Sequence, residues 1–320
     1  MKKTLIALAV LAASGASFAQ ATLSGNYTFG YKQTSGGGVA QMGGFGTDTA
    51  AIKIAATEDL GGGMAASAQV TFANGNRGGA VAGEDAFVKL TGGFGALTFG
   101  SIEAANGLLA IGSSGASGIG LDGKVLGGNP QVDLVGYALP LTSAFTLGVS
   151  YTDSGETTAT GLGAGSSGTA AGQPGLTLGV TYAAGPLAAK LDTTNWTRQD
   201  EVAAYTNKNR YRLSAGYDLG AVRLSAGYAQ TNYTNNVTRN ETLLGVKVPV
   251  GALTFGVDYA QNTKTGEHDV NGWSLGLGYA LSKRTGVSTS LASYKAANVS
   301  SALAVPETSN QFRVFVSHSF

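Results

Sequence analysis

The chain has no cysteine, two histidines and six prolines, and only 12% of its 320 residues are charged. Each shortage removes a class of protein. Without cysteine there is no disulfide frame, so stability has to come from backbone hydrogen bonds and packing. Two histidines and no thiol leave a transition-metal centre without a ligand set. The charges nearly cancel, at a net +1, whereas a nucleic-acid binder is as a rule basic. No apolar run reaches the roughly 20 residues that a membrane-spanning helix requires.

The chain opens MKKTLIALAVLAASGASFAQ, with Lys2 and Lys3, an apolar run from Leu5 to Ala13, and Ser17-Phe18-Ala19 as a small-x-small cleavage site. This reads as a secretory leader, residues 1–19, cut after Ala19, with 20–320 as one domain. The alternative, an N-terminal membrane helix, needs a longer run. Losing the two leader lysines takes the net charge from +1 to −1. The remainder holds most of the 50 glycines in a chain of mean hydropathy +0.09. An exported chain this apolar, with no spanning helix, has one other way to sit in a membrane, a closed β-barrel.

From Ala21 onward the sequence alternates in segments of about 9–11 residues, the length of a tilted membrane strand. ATLSGNYTFGYK sets Leu23, Gly25, Tyr27, Phe29 and Tyr31 on one face and Thr22, Ser24, Asn26, Thr28 and Lys32 on the other. Ile52 and Ile54 oppose Lys53, Val70 and Phe72 oppose Gln69 and Thr71, and Val88 and Leu90 oppose Phe87 and Lys89. Later segments read the same way: Val132 and Leu134 against Asp133, Leu191 against Lys190 and Asp192, Tyr211 and Leu213 against Arg210 and Arg212. Leu244, Val246 and Val248 alternate with Lys247, Phe255 and Val257 with Asp258, and Phe312 and Val314 with Arg313. Turns fall at Glu58–Gly62, Gly92–Gly95, Pro140–Ser143, Ala184–Pro186, Asp218–Gly220, Pro249–Gly251 and Ser282–Thr285. The count is about 16 strands, all-β and antiparallel, with short turns alternating with longer connections and tyrosines near the strand ends. A soluble Gly-rich sandwich or solenoid would also alternate, but would need neither a leader nor this loop asymmetry.

One stretch breaks the pattern. Ile102–Pro130 has too much Gly and Ser for a helix, and its Leu108, Leu109, Ile111, Ile119 and Leu121 keep no strand period. Those apolar residues argue for packing rather than disorder.

ATLSGNYTFGY, ATEDLGGGMAASAQV, AFVKLTGGFGALTFGS, LSKRTGVSTSLASY and the closing FVSHSF together resemble the general porins of Gram-negative outer membranes, especially the trimeric porins of β-proteobacteria. The resemblance spans essentially the whole mature chain. It implies a homotrimer of 16-stranded transmembrane β-barrels among outer-membrane lipids and lipopolysaccharide. It also implies water-filled pores for small hydrophilic solutes, and a terminal Phe320 read by the barrel-assembly machinery. It further implies that the third outer loop, by order Ile102–Pro130, folds inward, with Glu103, Asp122 and Lys124 as its charges. The Pro-Glu-Phe-Gly-Gly motif of enteric porins is absent, so no residue-by-residue constriction geometry transfers. No cofactor, metal or nucleic acid is expected.

In such a pore the lining charges decide what passes. By parity the inward cations are Lys53, Lys89, Lys190, Arg210, Arg212, Arg223, Lys247 and Arg313, against Asp133, Asp192 and Asp258. The excess predicts a weak anion preference. Lys53 and Arg313, on strands 2 and 16 flanking strand 1, are expected to form a basic wall patch, with the loop's part mainly steric. An enzyme needs a nucleophile beside a base; His268 falls in an outer loop, His318 has outward parity, and neither sits by a serine in this reading. Glu267 and Asp269 beside His268 read as a solvated loop. The alternative function is a non-channel barrel serving adhesion or surface structure.

Overall fold

The computed structural model describes residues 20–73, 81–103, 107–129, 131–153, 174–196, 207–295 and 307–320. The leader and most of the Gly/Ser-rich stretch at 155–175 lie outside these residues. Sixteen strands form one antiparallel sheet closed on itself. They are β1 (Gln20–Gly36), β2 (Val39–Gly61), β3 (Met64–Ala73), β4 (Ala82–Gly92), β5 (Gly95–Glu103), β6 (Gln131–Pro140), β7 (Phe145–Asp153) and β8 (Gly175–Ala184). Then follow β9 (Leu187–Trp196), β10 (Asn207–Asp218), β11 (Arg223–Tyr233), β12 (Thr238–Val250), β13 (Leu253–Lys264), β14 (Val270–Ala280), β15 (Thr285–Lys295) and β16 (Thr308–Ser319). The one helical turn described, α1 (Leu109–Gly112), lies between β5 and β6 and corrects the expectation of no helix there.

Each strand pairs with the next, and β16 returns to β1. Closure reaches the last residue. The Phe320 N–H donates to the Gly25 carbonyl, and the Gly25 N–H donates to that of Phe320, both at 3.0 Å. The missing side chain at Gly25 leaves the space that the Phe320 ring fills, since a Cβ there would lie 2.6 Å from Phe320 Cζ.

The period of two puts one residue row on the convex outer surface and the other on the concave inner one. Outer side chains splay into solvent: Leu23 is 66% exposed, Leu191 58% and Leu213 53%. These apolar residues are the face suited to lipid. Tyr27, Tyr151, Tyr211, Tyr217, Tyr228, Tyr259 and Tyr279 stand exposed with them.

Three local departures from the sequence reading have physical causes. β1 and β2 run 17 and 23 residues, joined by a tight turn at Gly37-Gly38, so this outer connection is short rather than long. Within β2, Thr28 pairs with Thr49 but Phe29 with Thr47, which makes Asp48 a bulge residue. The extra residue reverses the parity above it, and Phe45 joins the outer face, stacked on Phe29 at 6.5 Å. In β6, Val135 lies opposite Phe99 and Tyr151, all exposed apolar residues, so the outward positions are Val135, Tyr137 and Leu139. Val132 and Leu134 therefore face inward.

The apolar core is inside the barrel, which the alternation alone does not announce. Leu108, Ile119, Leu121, Val125 and Leu126, between β5 and β6, cluster with the inward Ala229, Leu243, Ala260, Ala292 and Tyr294. The inner positions of β11–β15 are small: Ser225, Gly227, Gly245, Gly256, Gly272, Ser274, Gly276 and Ser290. Without side chains there, the segment can lie against bare backbone. A Cβ at Gly276 or at Gly256 would overlap Ala116. Burying five aliphatic side chains contributes about 1.5–3 kcal/mol each before the cost of ordering the segment.

Gly276→Val should leave the barrel formed, by β-sheet circular dichroism and heat-modifiable gel mobility, but push residues 114–118 off the wall. Single-channel current should then change in size and grow noisier. An unchanged current would contradict this seating.

Candidate functional site

The segment 107–129 meets the inner wall through matched polar groups as well as apolar ones. Asp258, inward on β13 and 5% exposed, accepts from the Ser114 N–H at 2.6 Å, the Ser114 hydroxyl at 3.0 Å and the Ser117 hydroxyl at 2.6 Å. Glu241 on β12 accepts from the Gly127 N–H at 2.6 Å, and the Asn262 amide donates to the Val125 carbonyl at 2.9 Å. At the helical turn, Arg223 Nη2 donates to the Ile111 carbonyl at 3.3 Å. Cations at a helix C-terminus satisfy carbonyls left without partners.

Register gathers the inner charges of β9–β13 into rows. Asp192, Arg212, Ala229, Glu241 and Asn262 are successive cross-strand partners. Thr194, Arg210, Thr231, Arg239 and Lys264 form the next row toward the end away from the short turns. Arg212 Nε donates to Asp192 at 2.8 Å, Lys190 lies 3.7 Å from the same carboxylate, and Arg239 pairs with Glu241 at 3.0 Å. Every acid in these rows thus has a cation or the 107–129 segment as its partner.

The opposite wall carries a second constellation. Arg313 on β16 is opposite Lys32 on β1, lies 3.8 Å from Asp48 and sits 5.7 Å from the Phe315 ring centroid. Beside it is a recess of about 400 Å³ lined by Lys32, Thr34, Asp48 and Phe315 over Gly30, Gly44 and Gly46. Lys124 faces this wall from the segment. Its ammonium donates to the Gly120 carbonyl at 2.8 Å and lies 6.0 Å from the Tyr294 ring centroid. Burial pushes its pKa below the ordinary lysine value; Asp122 opposes the shift, while Arg313 and Lys32 add to it. The last two are close enough to feel its charge.

Of the residues expected to line a pore, Lys53, Lys89, Lys190, Arg210, Arg212, Arg223, Lys247, Arg313, Asp192 and Asp258 occupy inward positions. Arg223 and Lys247 are direct cross-strand neighbours near the short-turn end. Three expectations need correction. Asp133 is on the outward row with Val135, opposite Ser101 and Asp153, because the apolar flank used to set its parity was the inward one. Glu103 ends β5 and shares the outward parity of Phe99; its N–H bonds Asp85 at 2.8 Å, so it is a strand residue rather than a loop charge. Lys53 and Arg313 do not form one patch. Lys53 is opposite Ser24 and Arg313 opposite Lys32, eight residues farther along β1, or about 26 Å at 3.3 Å per residue.

Sequence reasoning passed over Asp48, Glu241 and Arg239. Asp48 is hidden by the bulge. Glu241 and Arg239 were legible in principle, since the alternation of Leu244 and Val246 continues back to Thr238. His318, on the outward row, pairs through Nδ1 with the Thr285 hydroxyl at 2.9 Å, tying β16 to the start of β15.

A family model for Gram-negative porins matches residues 4–298. The chain belongs to the Gram-negative porin family. Outer membrane porin protein 32 of Delftia acidovorans is 30% identical over 92% of this chain and 90% of its own length. Among solved structures, the anion-selective porin from Comamonas acidovorans superposes with a TM-score of 0.74 at 22% identity, covering 95% of this chain and 100% of that one. OmpT of Vibrio cholerae in its trimer form gives 0.66 at 15% identity, covering 94% and 99%. This porin is accordingly an outer-membrane channel, and the interior just described is its lumen.

Asp258→Ala removes the acceptor of three donors on the 107–129 segment. Hydrogen bonds to a charged group contribute about 1.5–3 kcal/mol each. The porin should still fold, but its open-state current should flicker far more than wild type, with Asp258→Asn intermediate. A quiet Asp258→Ala channel would contradict the anchoring role.

Proposed function

We propose that this porin is a passive, weakly anion-preferring diffusion channel for small hydrophilic solutes, narrowed between Lys124 and the Lys32–Arg313 wall. One observation carries the reading. Asp192, Glu241 and Asp258 are engaged in close pairs or in holding the 107–129 segment, whereas Lys32, Lys124 and Arg313 converge on the gap against Asp48 and Asp122, a surplus of one positive charge. Inside a low-dielectric wall that surplus raises the local concentration of anions. The Comamonas relative is described as anion-selective, in the same sense. Selectivity comes from the wall and Lys124 together, and the segment's bulk sets the cross-section.

The working form is a homotrimer in lipid and lipopolysaccharide, as the trimer form of the Vibrio relative supports. Residues 1–19 are its cleaved leader, and Phe320 is the residue presented to the barrel-assembly machinery. No catalytic step, metal or cofactor enters this reading.

Reversal potential across a planar bilayer under a KCl gradient is the test. Wild type should read as anion-preferring, and Lys32→Glu with Arg313→Glu should turn the preference toward cations. A cation-preferring wild type would overturn the assignment.

The pH dependence follows from Lys124. A lysine with a lowered pKa is charged below that value and neutral above it, so its charge disappears earlier than that of an ordinary lysine as pH rises. Anion preference should therefore fall in an early alkaline step that Lys124→Met abolishes. A titration curve unaltered by Lys124→Met would contradict this.

A further inference from the structure

We infer that Arg210 and Trp196 form a binding site for a planar organic anion, an aromatic carboxylate, on the outer side of the narrowing; this rests on reading the lumen as a solute path. Three observations converge on it.

The first is a cation with no carboxylate in salt-bridge reach among the described residues, since Asp192 and Glu241 act on it only from farther off. In the two rows around it, Arg212 has Asp192 at 2.8 Å, Arg239 has Glu241 at 3.0 Å, and Lys264 has Glu267 at 2.5 Å. Arg210 has no carboxylate partner among the described residues. Its Nη2 reaches the Thr194 hydroxyl at 3.4 Å, and its Nε is enclosed with no hydrogen-bond partner. An enclosed, unpaired guanidinium is costly, and an anion that takes its free donors relieves that cost.

The second is the aromatic surface. The Trp196 ring centroid lies 5.4 Å from the guanidinium carbon of Arg210. The indole rests over Gly175, where a Cβ would lie 3.2 Å from it, so the ring is held against the wall. Thr194, bonded to Thr177 at 2.8 Å, fixes the floor between them. A guanidinium fork matches a carboxylate edge, and an indole face matches a flat apolar body. Neither chloride nor acetate supplies both.

The third is position. The Arg210 row stands one register step outside the row in which Glu241 holds Gly127. Trp196 ends β9 at the side away from the short turns. The platform therefore lies at the outer edge of the rows that hold the segment, where Gly127 also approaches Arg239, and binding there concentrates a solute beside the narrowing.

The test uses the full mature porin with benzoate and acetate as probes, added to the outer side of a planar bilayer in KCl. Benzoate should reduce the current saturably, with a half-blocking concentration at least about tenfold below that of acetate. Arg210→Met and Trp196→Leu should each weaken the benzoate effect about tenfold, while both keep an open channel and the heat-modifiable mobility of a folded barrel. Equal potency of the two anions, or block unaltered in both variants, would overturn the proposal. A second readout needs no current. Trp196 and Trp273 are the chain's two tryptophans, so in Trp273→Phe the emission reports Trp196 alone. Benzoate should shift that emission saturably in detergent micelles, and Arg210→Met should remove the shift. If the barrel carried no current, the channel reading would fail while this titration still decided the site.

Discussion

Hydrocarbon offers no hydrogen-bond partner, and the rest of the structure follows from that constraint. A strand in lipid must pair on both edges, so the sheet has to close. Closure here extends to the terminal residue, where Phe320 bonds Gly25 in both directions. A closed sheet of period two has one outward and one inward row, so each chemical choice along the chain is a choice of side. The outward row spends its positions on Leu, Val, Tyr and Phe. The inward row is free to carry charge, and on β11–β15 it is small enough to admit another piece of chain.

That piece changes what the charges do. A carboxylate inside a pore is ordinarily a repulsive group for anions. Asp258 and Glu241 are instead consumed in holding residues 114–127, and Asp192 is shared by Arg212 and Lys190. Packing and electrostatics are thus coupled, because the contacts that fix the segment also silence the acids. In the proposed channel what remains is a gap with one positive charge in excess, Lys124 and Asp122 on one side and Lys32, Arg313 and Asp48 on the other.

The alternation of ATLSGNYTFGYK, VKLTGG or FGVDYA was enough to read the strand number, the antiparallel closure and the side taken by most charges. Parity, however, is only as good as the apolar residues that set it. In β6 the run Val132 to Leu139 carries apolar residues on both faces, since Leu134 and Ala138 take inward positions, and Asp133 was placed on the wrong side. Register between strands has no local signature at all. Which residue of β16 faces Lys32 depends on the stagger of the whole barrel and on the bulge at Asp48, so Lys53 could not be separated from Arg313. The seat of the segment did leave a trace, in the run of Gly, Ala and Ser at inward positions of β11–β15. It becomes meaningful only beside Leu108, Ile119, Leu121, Val125 and Leu126, which need a surface to cover them.

Because the chain has no native cysteine, a single introduced thiol can report on the gap without interference. Lys124→Cys, reconstituted and exposed to charged methanethiosulfonates during current recording, tests most directly whether that side chain stands in the conducting path beside Lys32 and Arg313. The account predicts an abrupt stepwise fall in current for each subunit modified, and faster reaction with the sulfonate reagent than with the trimethylammonium one. Modification confirmed by mass spectrometry with no change in current would contradict it.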